Sequence, residues 1–90
     1  MANACRVICV ARNRDRITEI GYAEPDGKFS KITLDAAIES VELGERVFYV
    51  IFDEQAYLLI VARDKAGNKF LKTVRDGDDF SSLLRLTDCD

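Results

Sequence analysis

The sequence predicts a small α+β domain in which one antiparallel sheet of about five strands packs against a single amphipathic helix. Runs of β-branched, aliphatic and aromatic residues, separated by short polar turns, predict the strands. Only one segment has apolar residues at helical spacing. No linker, repeat or low-complexity tract interrupts the chain. Residues 1–90 are therefore predicted to form one domain, in the order β-β-α-β-β-β plus a C-terminal closing segment.

The first two strands are predicted to form a hairpin. Residues 5–11, "CRVICVA", are small or β-branched at alternating positions on both sides, which suits an inner strand. Residues 16–22, "RITEIGY", return after the polar turn "RNRD". A Pro-Asp-Gly turn follows, and the residues beyond it, 29–32, are predicted to form a short extended piece.

The helix is predicted over residues 34–44. Thr33 stands where its hydroxyl can cap the first turn, and Gly44 stands where the helix should end. Between them the apolar residues recur at i, i+3, i+4 and i+7 and form one stripe, made of Leu34, Ala37, Ile38 and Val41.

Three further strands, at residues 46–52, 56–64 and 69–74, are predicted to form an antiparallel meander. The first two are apolar on both faces, whereas one short helix covers only part of one face. Something else must cover the second face. The sequence leaves two candidates open, a second copy of the chain and the C-terminal leucines Leu83, Leu84 and Leu86.

Several classes of function lack support in the sequence. The chain has no histidine, which removes the commonest general base and every triad that depends on it, and it has no P-loop or GxGxxG pattern. We therefore predict that it is not an enzyme and needs no cofactor. The net charge of −3 opposes binding to nucleic acid or to anionic lipid. Without a recognisable signal peptide or membrane-spanning run, the sequence predicts a cytoplasmic protein that does not bind membranes.

The three cysteines are predicted to be reduced. On one strand, Cys5 and Cys9 would lie about 13 Å apart, too far for a disulfide. Cys9 and Cys89 could pair only if the last residues return beside the first strand. A cytosolic location favours buried free thiols, and a zinc site would still need a fourth ligand.

The acidic residues Asp76, Asp78 and Asp79 invite comparison with a calcium loop. An EF-hand loop that began at Asp76 would need glycine at position 81 and glutamate at position 87, where this chain has Ser81 and Thr87. The segment is therefore predicted to be a solvated turn rather than a metal site.

Two groups of basic residues form the candidate interaction surface. They would contact phosphate or nucleic acid, with Tyr22, Tyr49 or Phe70 as stacking partners. The competing interpretation, favoured by the acidic net charge, is that these charges keep turns and edge strands soluble. The residues singled out are Arg12, Arg14, Arg16, Arg63, Lys65 and Lys69, and the basic strip at residues 63–75 also includes Lys72 and Arg75.

The order of these segments resembles a family of short bacterial and phage proteins known as a domain of unknown function. The resemblance covers nearly the whole chain. Its marks are "RITEIG" with Ile17, Ile20 and Gly21, the run "KFLKT" followed by Asp76 and Gly77, and the ending "LLRLTDC". Ser82 and Thr87 depart from the family pattern, which often has asparagine and proline there. The resemblance implies a whole-chain domain and no particular activity, substrate or cofactor.

Three hypotheses of function follow. The first is a non-catalytic binding or adaptor module that acts through an unknown protein partner or as a homodimer. The second is a nucleic-acid-associated protein that uses the basic residues. The third is an inhibitor of the phage type that mimics nucleic acid with an acidic face, built from Glu39, Glu42, Glu45, Asp53 and Glu54.

Overall fold

The computed structural model describes residues 3–14, 16–74 and 82–89, and its strands form one mixed sheet beside a single short α-helix. The strands lie in the order β3-β2-β1-β4-β5-β6, and β7 pairs with β1. The elements in chain order are β1 (Asn3–Asn13), β2 (Arg16–Ala23), β3 (Phe29–Thr33), α1 (Leu34–Glu42), β4 (Arg46–Phe52), β5 (Gln55–Arg63), β6 (Lys69–Thr73), a 3-10 helix (Ser82–Arg85) and β7 (Thr87–Asp88).

The predicted class is confirmed, but the sheet has seven strands rather than about five. One additional strand is β3, which the sequence suggested only as a short extended piece. It pairs with β2 along its length, with Ile20 opposite Ile32, because that register places both isoleucines on the core side. The other is the two-residue β7.

The sheet is also not purely antiparallel. β1 and β4 are parallel neighbours, with Cys5 opposite Phe48. After β3 the chain crosses through α1 before it enters β4, and a connection of this kind allows two strands to run in the same direction side by side. The predicted hairpins β1–β2, β4–β5 and β5–β6 are all antiparallel.

The helix begins where the sequence predicts. The Thr33 hydroxyl accepts a hydrogen bond of 3.1 Å from the backbone N–H of Ala36. At the other end the N–H of Leu43 donates to the Glu39 carbonyl, and Gly44 follows with a φ of 74°. The helix is two residues shorter than predicted because Leu43 and Gly44 form its cap.

The core lies between α1 and the sheet. Val7, Val10 and Ile20 from the first hairpin meet Ala37 and Ile38 from the helix, and all five are buried. The Tyr22 ring packs edge-on against Phe48, with ring centroids 5.3 Å apart. Burial of each large side chain contributes about 1.5–3 kcal/mol, so this layer supplies most of the apolar stabilisation.

The C-terminal segment closes the fold differently from the prediction. Leu83 is buried in the same core as the helix, and Leu86 packs against that core, so neither leucine covers the second face of β4 and β5. The Leu84 side chain and the acidic residues Asp76, Asp78 and Asp79 lie outside the described part of the structure. The predicted role of the leucines on the second face is therefore wrong for Leu83 and Leu86.

The prediction of three reduced cysteines is also wrong. β7 runs parallel to β1 with Thr87 opposite Cys9, and the Cys89 N–H donates to the Val10 carbonyl over 2.9 Å. This register brings the two Cα atoms to 5.1 Å, and Cys9 and Cys89 form a disulfide. Cys5 remains a free, buried thiol.

Candidate functional site

One face of the sheet carries apolar residues that no helix in the described part of the chain covers. In a strand, successive side chains point to opposite faces. On β4 and β5 the core side takes Phe48, Val50 and Leu59, all buried. The alternate positions, together with one on β6, form what we call the open face, made of Val47, Tyr49, Ile51, Leu58, Ile60, Ala62 and Phe70.

The strand register makes the open face continuous. Tyr49 lies opposite Leu58, and Ala62 lies opposite Phe70. With strands about 4.8 Å apart and residues about 3.3 Å apart, the patch measures roughly 20 Å by 15 Å, or about 300 Å². Leu58 is 48% exposed. The other six residues of the face are partly exposed. A footprint of about 300 Å² is the size of the largest apolar patch on a typical monomer, and such a patch is often functional.

Basic side chains flank the open face. Arg6 on β1 lies opposite Tyr49, and Lys72 on β6 lies opposite Ile60. Lys31 on β3 lies on the same side of the sheet, opposite Gly21. In the described part of the chain, neither Arg6 nor Lys31 forms an ion pair or side-chain hydrogen bond. The strands that bound the apolar patch thus carry Arg6 on β1 and Lys72 on β6, which form its cationic border. Lys31 lies two strands beyond β1, and Glu19 lies on the same side of the sheet on β2.

The disulfide covers one corner of this side of the sheet. Cys9 lies opposite Gly21 across the β1–β2 pair. A Cβ atom at Gly21 would lie 2.7 Å from the Cys89 sulfur and 2.8 Å from the tip of the Phe29 ring. Residue 21 therefore has to be glycine for the disulfide and the ring to pack there, which explains two marks of the resemblance, Gly21 and Cys89, as one structural unit.

Arg12 contacts the C-terminal segment at two points. Its Nε donates to Asp88 Oδ1 over 2.7 Å, and its Nη2 donates to the Leu86 carbonyl over 2.6 Å. Both contacts tie that segment to β1, so the role of Arg12 is structural. Arg14, in the adjoining turn, is exposed and has a φ of 61°.

The other predicted basic residues lie on the helix side or in turns. Arg16 and Lys69 line the same groove, of about 1230 Å³, between α1 and the ends of the β1–β2 and β5–β6 hairpins. Lys69 forms an ion pair of 2.8 Å with Glu42 of the helix. Arg63 lies opposite Lys69 in the sheet, and Lys65 is exposed in the turn that follows. The six residues therefore do not share one face.

The proposed stacking residues also separate. Tyr22 is 1% exposed and packs on Phe48, so it has no free ring face. Tyr49 and Phe70 lie on the open face instead. The sequence paired these rings with Arg12, Arg14, Arg16 and the basic strip at residues 63–75. Of that strip, Lys72 lies on the same side of the sheet as Tyr49 and Phe70, and the structure adds Arg6 and Lys31. Alternation along β1 and β3 is the sequence signal that could have found these two.

The proposed acidic residues are divided between two elements. Glu39 and Glu42 lie on α1, with Glu45 just beyond it, and Glu42 is paired with Lys69. Asp53 and Glu54 form the β4–β5 turn, both with positive φ. In the described residues, histidine, cysteine, aspartate and glutamate side chains form no group of three that could hold a metal ion. No helix in the described ranges is long and apolar enough to cross a membrane.

Comparison with protein families gives a match over most of the chain. A family model described as a protein of unknown function, DUF3892, matches residues 6–87. The matched range contains the helix, most of β1 and all of β2 to β6, and it stops two residues before Cys89. No curated protein and no solved structure gives a significant match.

Proposed function

Because the chain belongs to the DUF3892 family, whose description assigns no function, we propose a role from the geometry of the open face: the protein is a non-catalytic module that binds another protein there. The observation that carries this proposal is the exposed apolar surface on β4 and β5. The buried core is complete on the other side of the same strands, so folding does not require this surface to be apolar.

The composition of the open face fits a protein partner. Aliphatic side chains dominate it, and Tyr49 and the neighbouring Arg6 are residue types enriched at the centres of protein interfaces. An apolar surface three strands wide accommodates the apolar stripe of an amphipathic helix. We infer that the partner presents such a stripe.

The cationic border indicates the charge of that partner. When an apolar stripe covers the open face, the guanidinium of Arg6 loses water and needs an anionic acceptor. Carboxylates beside the apolar stripe would supply it and would also pair with Lys31. A second copy docked face to face would instead bring the cationic borders of two copies together. The border therefore favours an acidic, amphipathic segment of another protein over a homodimer.

A pair of designed peptides tests this proposal. Both are amphipathic helices of roughly 18 residues with one leucine stripe, flanked by glutamates in one peptide and by lysines in the other. Fluorescence anisotropy should show that the glutamate peptide binds at least about tenfold more tightly. Equal binding of the two peptides, or no binding of either, would contradict the proposed partner.

Two leucine variants locate the binding surface. Leu58→Glu puts a charge in the open face and should remove binding of the glutamate peptide. Leu43→Glu is the matched control, because Leu43 is 65% exposed at the helix cap, away from the open face. Sedimentation velocity of the chain alone tests the alternative occupant. A dimer that Leu58→Glu abolishes and Leu43→Glu preserves would show that the face binds a second copy instead.

Single-stranded nucleic acid is a second candidate, because Tyr49 and Phe70 share the open face with cations. Nucleobases stack on such rings, and backbone phosphates would pair with Arg6 and Lys31. Binding of a labelled oligothymidylate that weakens steeply with salt and is lost in Tyr49→Ala would favour this candidate over the peptide.

A further inference from the structure

The C-terminal strand β7 is held to β1 by one covalent bond and few other contacts. It is two residues long, and both Thr87 and Asp88 are exposed. The ion pair between Arg12 and Asp88 is open to solvent, with 27% and 71% of the two side chains exposed. An exposed ion pair contributes little, and fixing each backbone residue costs conformational entropy. Two hydrogen bonds accompany the ion pair, from Arg12 to the Leu86 carbonyl and from the Cys89 N–H to the Val10 carbonyl. The disulfide is the one covalent link between β7 and β1.

The C-terminal segment is also attached to the core by a residue that precedes β7. Leu83, in the 3-10 helix that precedes β7, is 1% exposed and belongs to the main core cluster. Its burial does not depend on the pairing of Thr87 and Asp88 with β1. Detachment of the chain after Leu86 would therefore leave the contacts of Leu83 with the core intact, as expected of a segment that opens locally.

We propose that the Cys9–Cys89 bond is a redox-sensitive clasp: a dithiol reductant opens it, β7 leaves the edge of β1, and the rest of the fold stays closed. Opening would expose the β1 backbone at Cys9 and Val10, which β7 now covers. A free strand edge of this kind is a pairing site for another strand. The clasp involves only β1 and the described C-terminal residues, and it does not depend on the open face.

The difference in burial between the two cysteine residues sets the direction of the exchange. Cys9 is 7% exposed, whereas Cys89 is half-buried. A thiolate of the dithiol attacks the more accessible Cys89 sulfur, the S–S bond breaks, and its electron pair leaves on the Cys9 sulfur, which takes up a proton. The second thiol of the reductant then attacks the mixed disulfide and releases the Cys89 thiolate. The dithiol is oxidised to a disulfide, and the protein gains two thiols.

Native-state reduction with dithiothreitol tests the clasp. The expected result is reduction without denaturant, followed by alkylation of Cys9 and Cys89, while the buried Cys5 stays unmodified. Hydrogen exchange should then rise at least about tenfold at residues 86–89, with unchanged protection in α1 and β5. A bond that yields only after global unfolding would overturn the proposal, as would unchanged protection of residues 86–89 after reduction.

Two variants separate the clasp from the ion pair. Cys9→Ala with Cys89→Ala should reproduce the fast exchange at residues 86–89 without any reductant. Arg12→Gln removes the ion pair but leaves the disulfide, so its exchange at residues 86–89 should stay within about threefold of the wild type. If Arg12→Gln frees β7 in the oxidised protein, or if the double alanine variant is globally unfolded at 25 °C, the clasp is refuted.

Discussion

The two faces of this sheet are built from the same strands and from similar residues, yet only one of them is buried. Leu58 and Leu59 are adjacent and chemically identical, but Leu58 is 48% exposed and Leu59 is 2% exposed. The difference arises from what lies above each face, since α1 and the 3-10 helix supply Ile38 and Leu83 on one side only. Apolar strand composition therefore shows that a face needs a cover without showing whether this chain provides it.

The corner of the sheet at Cys9 differs from both the buried face and the open face. It belongs to the uncovered side of the sheet, but Cys89 and Phe29 lie over Gly21 and bury Cys9 there. The chain thus covers a small part of its second face with its own C-terminus. The remaining open face is the part available to a partner.

The largest expected change in the free energy of unfolding comes from substituting the two adjacent leucines, one on each face. Leu59→Ala should lower the free energy of unfolding by about 2–5 kcal/mol, because it leaves a cavity in the core. Leu58→Ala should lower it by less than about 1 kcal/mol, because that side chain is already half in water. Urea denaturation of the two variants measures the difference. Equal losses would mean that the open face is covered in solution, and a dimer would then be sought by sedimentation.

Local structure was readable from the sequence because it depends on neighbouring residues. The helix start at Thr33, its end near Gly44 and the hairpin partners all follow from spacing and turn chemistry. The excess of apolar residues on β4 and β5 also correctly indicated that one helix could not cover both faces.

Long-range pairings were not readable in the same way. The disulfide joins residues 80 positions apart, and the Arg12–Asp88 pair spans 76. Both depend on where the chain returns after β6, which no local pattern specifies. The parallel contact between β1 and β4 depends instead on the crossover through α1, which no local pattern specifies either. The basic residues were grouped by sequence position, whereas the sheet separates Arg12 from Lys69 and brings Arg6 beside Tyr49.

The second largest effect concerns the covered corner. Cys9→Ala with Cys89→Ala should lower the free energy of unfolding by about 2–4 kcal/mol, because the disulfide limits the freedom of the unfolded chain. The cross-link spans 80 residues, so most of the chain is constrained. Thermal unfolding by circular dichroism measures the loss. A variant as stable as the oxidised wild type would mean that the bond does not form in solution.

Gly21→Ala tests the crowding in that corner. The new Cβ would meet the Cys89 sulfur and the Phe29 ring, so the variant should lose about 1–3 kcal/mol of stability. The same change in the Cys9→Ala, Cys89→Ala background should cost less, because both sulfurs are gone. Equal costs in the two backgrounds, measured as a double-mutant cycle, would show that the sulfur atoms are not what excludes a side chain at position 21.

The smallest effect comes from Cys5, on the covered face. Burial raises the pKa of this thiol, while Arg46 acts to lower it and Glu24 to raise it. The unfolded chain releases the Cys5 proton near the ordinary thiol pKa of about 8.5, before the folded chain does. The stability that the neutral thiol contributes is therefore complete below that pH and is lost as the pH rises through the folded pKa.

Urea denaturation between about pH 7 and 10 should show a steeper loss of stability at alkaline pH with Cys5 present than in Cys5→Ala. Both proteins would carry the Cys9→Ala, Cys89→Ala changes, which prevent thiol exchange. Parallel pH profiles would mean that water reaches Cys5, and hence that the covered face is less closed than its geometry indicates.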